Sequence, residues 1–521
     1  MRDDTIKLPG APERAGPDAV AGDLTPELIN TDWWTDAMLA RADIPVVDIP
    51  FVSVGGGIGS FVTVDYLRIC GVPTSQIRVF TQLETPWESY EYLTRVSQIP
   101  RRERLRSDSA SCPDNIWGFP SYAVREAIAT RSVRPLVQIA TEPIFDDYYT
   151  PKAGQAFESM EREYHRISYP ETVVKGQVRM VRRRSGGGYF TIVTPPTGAT
   201  RTKRVAFRSR FVHVAVGYPG LKFLPDLMDY RETHRDYSSV VNAYEPHEQI
   251  YERLHRAPGT VLVRGGGIVA SRVLQRLIDD RDARGLSTQI LHVFRTFVTG
   301  SHGPSLWMRR RGGDGWAYQG FNYPKSVWGG QLKERMRNLE GQERADLYEV
   351  FGGTNTPRRR NWQRQMRRGR QENWYRPFQG EIETMQPGPN GTVDVGLKTG
   401  GGPYHVQVTG VIDCTGLEAD IREHRVLADL LDHGGAGRNP LRRLDVERTF
   451  EVRGTRSEPG RLYASGTATL GGYFPGVDTF LGLQIAAQEI ADDLAAQGFC
   501  QRLGPIRSTS QWWKWARGER I

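Results

Sequence analysis

Two stretches of this chain repeat one plan, and that repetition constrains the fold more than any other feature. The first is IPVVDIPFVSVGGGIGSFVTVDYLRICGVPTSQIRVF, residues 44–80. An apolar, β-branched run ends at Val54, a glycine cluster follows, and Ile58, Phe61, Val62, Asp65, Leu67 and Ile69 read as a helix with one apolar face. Gly71 and Pro73 end that helix, and Ile77 to Phe80 reads as a second strand. The second stretch is TVLVRGGGIVASRVLQRLIDDRDARGLSTQILHVFR, residues 260–295. Here Thr260 to Val263 is the strand, Val269, Val273, Leu274, Leu277 and Ile278 form the helical stripe, Gly285 is the C-cap, and Ile290 to Phe294 is the next strand.

Strand, glycine turn, helix, strand is the setting that a dinucleotide fingerprint requires. The first glycine permits a tight turn and the second lets backbone amides approach a pyrophosphate. A third small residue lets the helix pack close to the strand, and the phosphates sit at the positive helix N-terminus. In the first copy these positions are Gly55, Gly57 and Ser60; in the second they are Gly265, Gly267 and Ala270. The end of the second strand selects the nucleotide. The second copy ends in Arg295, where a cation can pair with a 2′-phosphate, so this unit reads as an NADPH site with Arg272 on the helix as a helper. The first copy ends at Thr81 without the usual acid. An adenine ribose there must be held by Gln82, by Glu84 or by a less usual contact.

With two such units in one chain, the sequence resembles the single-component FAD- and NADPH-dependent monooxygenases, the flavin-containing monooxygenases and the amino-acid N-hydroxylases. Four stretches beyond the fingerprints carry the resemblance. FVHVAVGYPGLKFLP, residues 211–225, is similar to the family's crossing between domains, and HVQVTGVIDCTG, residues 405–416, to the return crossing. RLRSDSASCPDNIWGFPSY, residues 104–122, stands where the family lines the flavin and substrate pocket. GRLYASGTATLGGYFPGVDTFLGLQIAAQEIADDL, residues 460–494, resembles the strand, loop and helix that close over the flavin. The family's Gly-Asp at the end of the closing strand is Gly466-Thr467 here, so Asp478 or the backbone must hold the ribityl chain, and the helix N-terminus at Asp478 and Thr479 would face the pyrimidine edge. The Baeyer–Villiger signature is broken, with Met228 and Tyr230 at its Phe and Gly positions beside His234, and the tryptophan signature of two-component halogenases is absent.

The resemblance implies an α/β chain with two Rossmann-like dinucleotide-binding domains, the FAD domain being discontinuous. The expected division is an irregular leader over 1–44, the first part of the FAD domain over 45–218, an NADPH domain over 219–404, the second part of the FAD domain over 405–500, and a tail over 501–521. It implies an NADPH-dependent FAD monooxygenase that forms a C4a-peroxyflavin with dioxygen and oxygenates a small molecule, the best fit being an amine nitrogen. A single-component halogenase of the same architecture and a non-oxygenating flavoprotein reductase remain as alternatives.

Within the NADPH unit lies an insert, 300–380, rich in arginine and tryptophan. Residues 301–380 carry 16 cations against 7 acids, a surplus equal to the net charge of +9 of the whole chain, and five of the 12 tryptophans: Trp307, Trp316, Trp328, Trp362 and Trp374. Arginine interleaved with aromatics suits a single-stranded nucleic acid. Its place inside a nicotinamide unit instead favours a pocket for an anionic or aromatic small molecule, with Lys325, His302 and Tyr323 as candidates for chemistry and the Arg358–Arg360 run as an anion contact. Nucleic acid is not the expected partner, and a homodimer is left open. LKERMRNLEGQERADLYEVF within the insert reads as one helical stretch.

At 521 residues the chain has room for two to four domains, and its mean hydropathy of −0.50 with 25% charged residues suits a folded, water-soluble protein. No apolar run is long enough to span a bilayer, and the N-terminal residues lack the apolar core of a secretory signal, so a cytoplasmic location is expected. The four cysteines, Cys70, Cys112, Cys414 and Cys500, form no CxxC pair, and neither a disulfide framework, a dithiol centre nor a metal site is expected.

Overall fold

The computed structural model describes residues 21–105, 107–141, 149–218, 220–301, 312–318, 331–351, 360–417 and 420–521. Its first sheet has five parallel strands in the order Arg461–Ala464, Phe211–Val214, Phe51–Val54, Ile77–Thr81, Val173–Lys175. Phe51–Val54 lies at the centre and is buried on both faces, which is why it reads as an unbroken apolar run. The helix Ile58–Ile69 follows it and is buried almost all round, packed against the helix Phe480–Ala496. Four of these strands precede residue 215 and the fifth lies at 461–464, so the first unit is discontinuous in sequence.

The second sheet runs Val240–Asn242, Gly410–Asp413, Thr260–Arg264, Gln289–Phe294, Tyr375–Pro387, all parallel, and continues into an antiparallel meander, Val393–Thr399 and Gly402–Val408. The helix Ile268–Arg284 connects the strands Thr260–Arg264 and Gln289–Phe294, and Gly285 caps it at φ +65°. Gly410–Asp413 belongs to this sheet, so the return crossing lies beyond Asp413, at Cys414–Gly416.

A third sheet, Trp33–Trp34, Gln177–Arg184, Tyr189–Thr194, Val205–Ser209, Val46–Asp48, packs beside the first. It reaches into the expected leader. Residues 21–44 carry the short helices Pro26–Ile29 and Asp36–Arg41, capped by the hydroxyls of Thr25 and Thr35. Trp34 is fully buried and donates its indole N–H to the carbonyls of Leu28 and Thr31, each at 3.0 Å. In the expected tail, Pro505–Arg517 is a helix.

The insert's helical stretch divides in two, Gln331–Arg337 and Gly341–Phe351, because Gly341 takes φ +50°. A further helix, Arg360–Gln371, turns Trp362 and Met366 inward. Trp316, Trp362 and Trp374 are all buried in the core of the second unit, with Trp316 edge-on to Trp362 at 4.8 Å and to Phe294 at 5.2 Å. Around them, Arg368 pairs with Asp282 at 2.6 Å and Arg370 with Asp314 at 2.7 Å. For these three tryptophans the insert's aromatic content is core, not a stacking surface. Trp307 and Trp328 lie outside the described residues.

Candidate functional site

The two glycine turns are built alike. Gly55 takes φ +93°, and a Cβ there would stand 2.5 Å from the carbonyl oxygen of Ala215, so a side chain is excluded by both conformation and contact. Gly57 is the N-cap of Ile58–Ile69 with no side chain bonded to the first amides, and a Cβ on it would meet only the Pro86 carbonyl, at 4.0 Å. The helix N-terminus is therefore open in front of Gly57, the cradle a pyrophosphate needs. Close packing of helix on strand falls to Gly59, whose Cβ would lie 3.3 Å from Ala215 Cβ and Ser465 Oγ. Ser60, expected to be merely small, is fully buried and uses its hydroxyl: it donates to the Gly55 carbonyl and lies 2.7 Å from Ser53 Oγ.

That contact begins a buried chain. Ser53 Oγ is 3.2 Å from His213 Nδ1, and His213 Nε2 is 2.9 Å from Ser465 Oγ. The chain thus runs from the first glycine, across three adjacent strands, to the residue before Gly466. Burial pushes the His213 imidazole down to about 3, so it is neutral.

The second turn repeats the device with different residues. Gly265 takes φ +120°, Gly267 is an N-cap without a side-chain partner, and Ala270 is fully buried. His292, on the neighbouring strand, places Nε2 2.6 Å from the Gly265 carbonyl and Nδ1 2.8 Å from the Tyr375 hydroxyl. Burial holds it neutral too, down to about 3. Beside the turn, Arg264 bonds Asp413 at 2.8 Å and Asp226 at 2.5 Å, tying the ends of two strands to the helix Pro225–His234. Burial raises Asp413 and the Arg264 charge opposes it.

Of the residues singled out in the sequence, Gly466 takes φ +77° and opens the turn Gly466–Thr469. Thr467, where the acid was missed, donates its hydroxyl to the Gly217 carbonyl at 2.6 Å. Thr479 caps Phe480–Ala496 by accepting from the Gly482 amide at 3.0 Å, so one first-turn amide is already satisfied, and Asp478 beside it is exposed. Gln82 is exposed beyond the strand end. Glu84 points to solvent and pairs with Lys175 at 2.9 Å. Arg295 follows its strand, exposed and without an ion pair among the described residues. Arg272 is committed elsewhere. It donates to the Gln98 carbonyl at 3.2 Å and to Glu103 at 2.8 Å, bracing the second unit against the first. His302, Tyr323, Lys325, Arg358 and Arg359 lie outside the described residues, as does the side chain of Arg360.

The loop 107–122 forms a wall against the closing helix: Gln484 donates to the carbonyls of Cys112 and Asn115 at 2.7 and 2.9 Å. The insert reaches the closing loop as well. Arg344, on Gly341–Phe351, is buried, donates to the Gly471 carbonyl at 3.1 Å and stacks 3.9 Å over the Tyr473 ring. Sequence reading missed His213, His292, Arg264 and Arg344. Only His213, inside the FVHV strand, and His292, inside QILHVF, carried a signal: a histidine flanked on both sides by apolar residues within a buried parallel strand. Cys500 donates its thiol to the Ala491 carbonyl at 3.4 Å.

No protein-family model matches the chain, and no curated protein matches it by sequence. Solved structures do. The chain is similar to ornithine hydroxylase from Pseudomonas aeruginosa, with a TM-score of 0.61 at 14% identity over 86% of this chain and 99% of that one. It is similar to the ornithine N-hydroxylase of Kutzneria sp. 744, with a TM-score of 0.62 at 13% identity over 87% of this chain and 100% of that one. Bacillithiol disulfide reductase from Bacillus cereus gives a TM-score of 0.51 at 12% identity over 87% of this chain and 100% of that one. At these identities the likeness is one of fold: an α/β chain carrying two dinucleotide-type units, the first of them discontinuous. Among the described residues no helix is long and apolar enough to cross a membrane, and no group of ligating side chains could hold a metal ion.

Proposed function

We propose that this chain is an FAD- and NADPH-dependent monooxygenase that oxygenates the nitrogen of a small amine. One observation carries the reading: two glycine turns of matched construction, each followed by a helix whose glycine N-cap no side chain caps, in a fold shared with solved amine hydroxylases. The residues fit the two cofactors. The amides behind Gly57 would hold the FAD pyrophosphate, Gln82 or Glu84 the adenine ribose, and Gly466 with the start of Phe480–Ala496, at Asp478 and Thr479, the flavin end. Gly265, Gly267 and the close-packed Ala270 would hold the NADPH pyrophosphate, and Arg295 the 2′-phosphate. The domain limits proposed are the two sheets themselves, with the insert over 300–380 closing the second unit onto the first.

Bound flavin would supply the oxygen activation and NADPH the hydride, leaving binding, orientation and exclusion of water to the protein. His213 and Ser60 hold the first turn in shape, and His292 holds the second. Gln484 and Arg344 seal the closing segment from two sides, Gln484 by the loop 107–122 and Arg344 by the insert. An anionic or aromatic substrate group would meet the insert, and cytoplasmic activity fits the NADPH supply.

The test is product analysis with NADPH, oxygen and a panel of small diamines and basic amino acids. Hydroxylamine formed in step with NADPH consumption supports the reading. A second reading, a reductase without oxygenation, is favoured by the likeness to a disulfide reductase. It is the correct one if NADPH oxidation requires an added acceptor and yields no oxygenated product.

A further inference from the structure

Away from both glycine turns, the helices Ser121–Thr130, Ala153–Arg166 and Pro505–Arg517 surround a cavity of about 670 Å³. Its walls carry five arginines against two carboxylates. Both carboxylates are already engaged. Glu163 accepts from Arg166 at 2.7 and 2.5 Å, and Asp114 accepts from the Tyr122 hydroxyl at 2.5 Å. Of the five arginines, Arg166 is paired with Glu163 and Arg520 with Glu171 at 3.6 Å, which leaves Arg125, Arg162 and Arg517 unmatched. Arg125 and Arg162, from two different helices, donate to one and the same neutral oxygen, Ser159 Oγ, at 2.7 and 2.5 Å, and neither makes an ion pair among the described residues. Arg517 faces the cavity from the C-terminal helix, also without an ion pair, and Arg166 Nη1 is buried with no partner.

Two guanidinium nitrogens bonded to one oxygen stand within about 5 Å of each other. Like charges at that distance repel, and a serine hydroxyl does nothing to neutralise them. A tetrahedral oxyanion would, because each guanidinium fork can bond its own pair of oxygens. Trp515 supplies an apolar wall beside them, its indole N–H tied to the Asp114 carbonyl at 3.1 Å. The place is separate from the first turn: Asp65, which lies 3.7 Å from Arg166 at the cavity's edge, is two helical turns beyond Gly57. We propose that this cavity binds the phosphate group of a small organic phosphate, gripped by Arg125 and Arg162 and closed over by Arg517.

The experiment is calorimetric titration of pyrophosphate into the FAD-loaded protein in saturating NADP⁺, so that the glycine turns are filled. Saturable binding to one site is expected, weakened at least tenfold in the Arg125→Gln, Arg162→Gln double variant, with FAD content unchanged. Ser159→Asp guards against a folding artefact: it places a carboxylate between the two guanidinium groups and should abolish pyrophosphate binding in a protein that melts as the native one does. The absence of saturable binding, or equal affinity in the native protein and the variants, overturns the proposal. So does preferential binding of a polyglutamate peptide, which would make the cavity a docking place for an acidic protein. Because the turns are identical in all these proteins, loss of the FAD reading would not by itself produce any of these differences.

Discussion

His292 Nε2 stands 2.6 Å from the carbonyl oxygen of Gly265, the first glycine of the second turn. A carbonyl only accepts, so Nε2 carries the proton, and Nδ1 accepts from the Tyr375 hydroxyl. The first turn reaches the same end through Ser60 and a serine–histidine–serine chain. Both tight turns are thus held at the carbonyl of the first glycine, while no side chain caps the helix that follows at Gly57 or at Gly267.

His292→Leu removes the donor to Gly265 and the acceptor for Tyr375 in a fully buried place. The cost is about 1–3 kcal/mol for the polar groups left unpaired. The expected outcome is a lowered melting temperature and a raised KM for NADPH, with FAD content unchanged. Unaltered NADPH kinetics in a folded variant would show that the bond does not shape the turn.

His213 and His292 both titrate near 3 in the folded chain, against about 6.5 when unfolded. The unfolded state therefore binds more protons between those values, and stability falls as pH drops below about 6.5, the loss continuing to about 3. Each histidine removes about 2 kcal/mol by pH 5. Denaturant unfolding at pH 7.5 and pH 5 measures this, and the His213→Asn, His292→Asn double variant should lose less between the two pH values than the native chain.

Gly55 and Gly57 should fail in different ways. Gly57→Val projects into the open space before the helix, so the protein should fold and melt normally but emerge colourless. Gly55→Val meets the Ala215 carbonyl and an unfavourable φ, so it should lose fold stability itself. A yellow Gly57→Val protein at normal FAD affinity would remove the first turn from the FAD site.

Arg295→Ala should raise the KM for NADPH by tenfold or more, about 1.5–3 kcal/mol for a charged bond, and leave NADH kinetics nearly unchanged. Arg272→Ala should leave the preference between the two nucleotides intact, because that side chain is bound to Glu103 and the Gln98 carbonyl. Equal use of NADPH and NADH by the native protein refutes the Arg295 assignment.

Arg344→Met keeps the buried stem and removes the bond to Gly471, at a cost of about 1–3 kcal/mol. Faster FAD loss and easier proteolytic cutting near 340–351 are expected. Unchanged rates of both would mean that the insert does not hold the closing loop.

The two strand–turn–helix units were legible because each is local: the apolar run, the glycines, the helical stripe and the Gly285 cap all lie within about 36 residues. What lay outside that range was not. The partners of His213 are Ser53 and Ser465, 160 and 252 residues away, and nothing in the strand FVHV names them. The insert's tryptophans read as the lining of a small-molecule pocket because composition does not tell a core face from an exposed one, whereas Trp362 and Met366, four apart on one helix, do. Arg272 looked like a phosphate ligand from its distance to the turn, and only the fold brings Glu103 to it.

The strand Arg461–Ala464 completes the first sheet by pairing with Phe211–Val214, while the second sheet lies wholly within 240–413. On a ribosome, the unit begun first is therefore finished last. For the roughly 250 residues between, tens of seconds at about 5–20 residues per second, Phe211–Val214 waits as an unpaired edge in the emerging chain. Any chain truncated before residue 461 keeps that sticky edge for good and never gains the segment that closes over the first glycine turn.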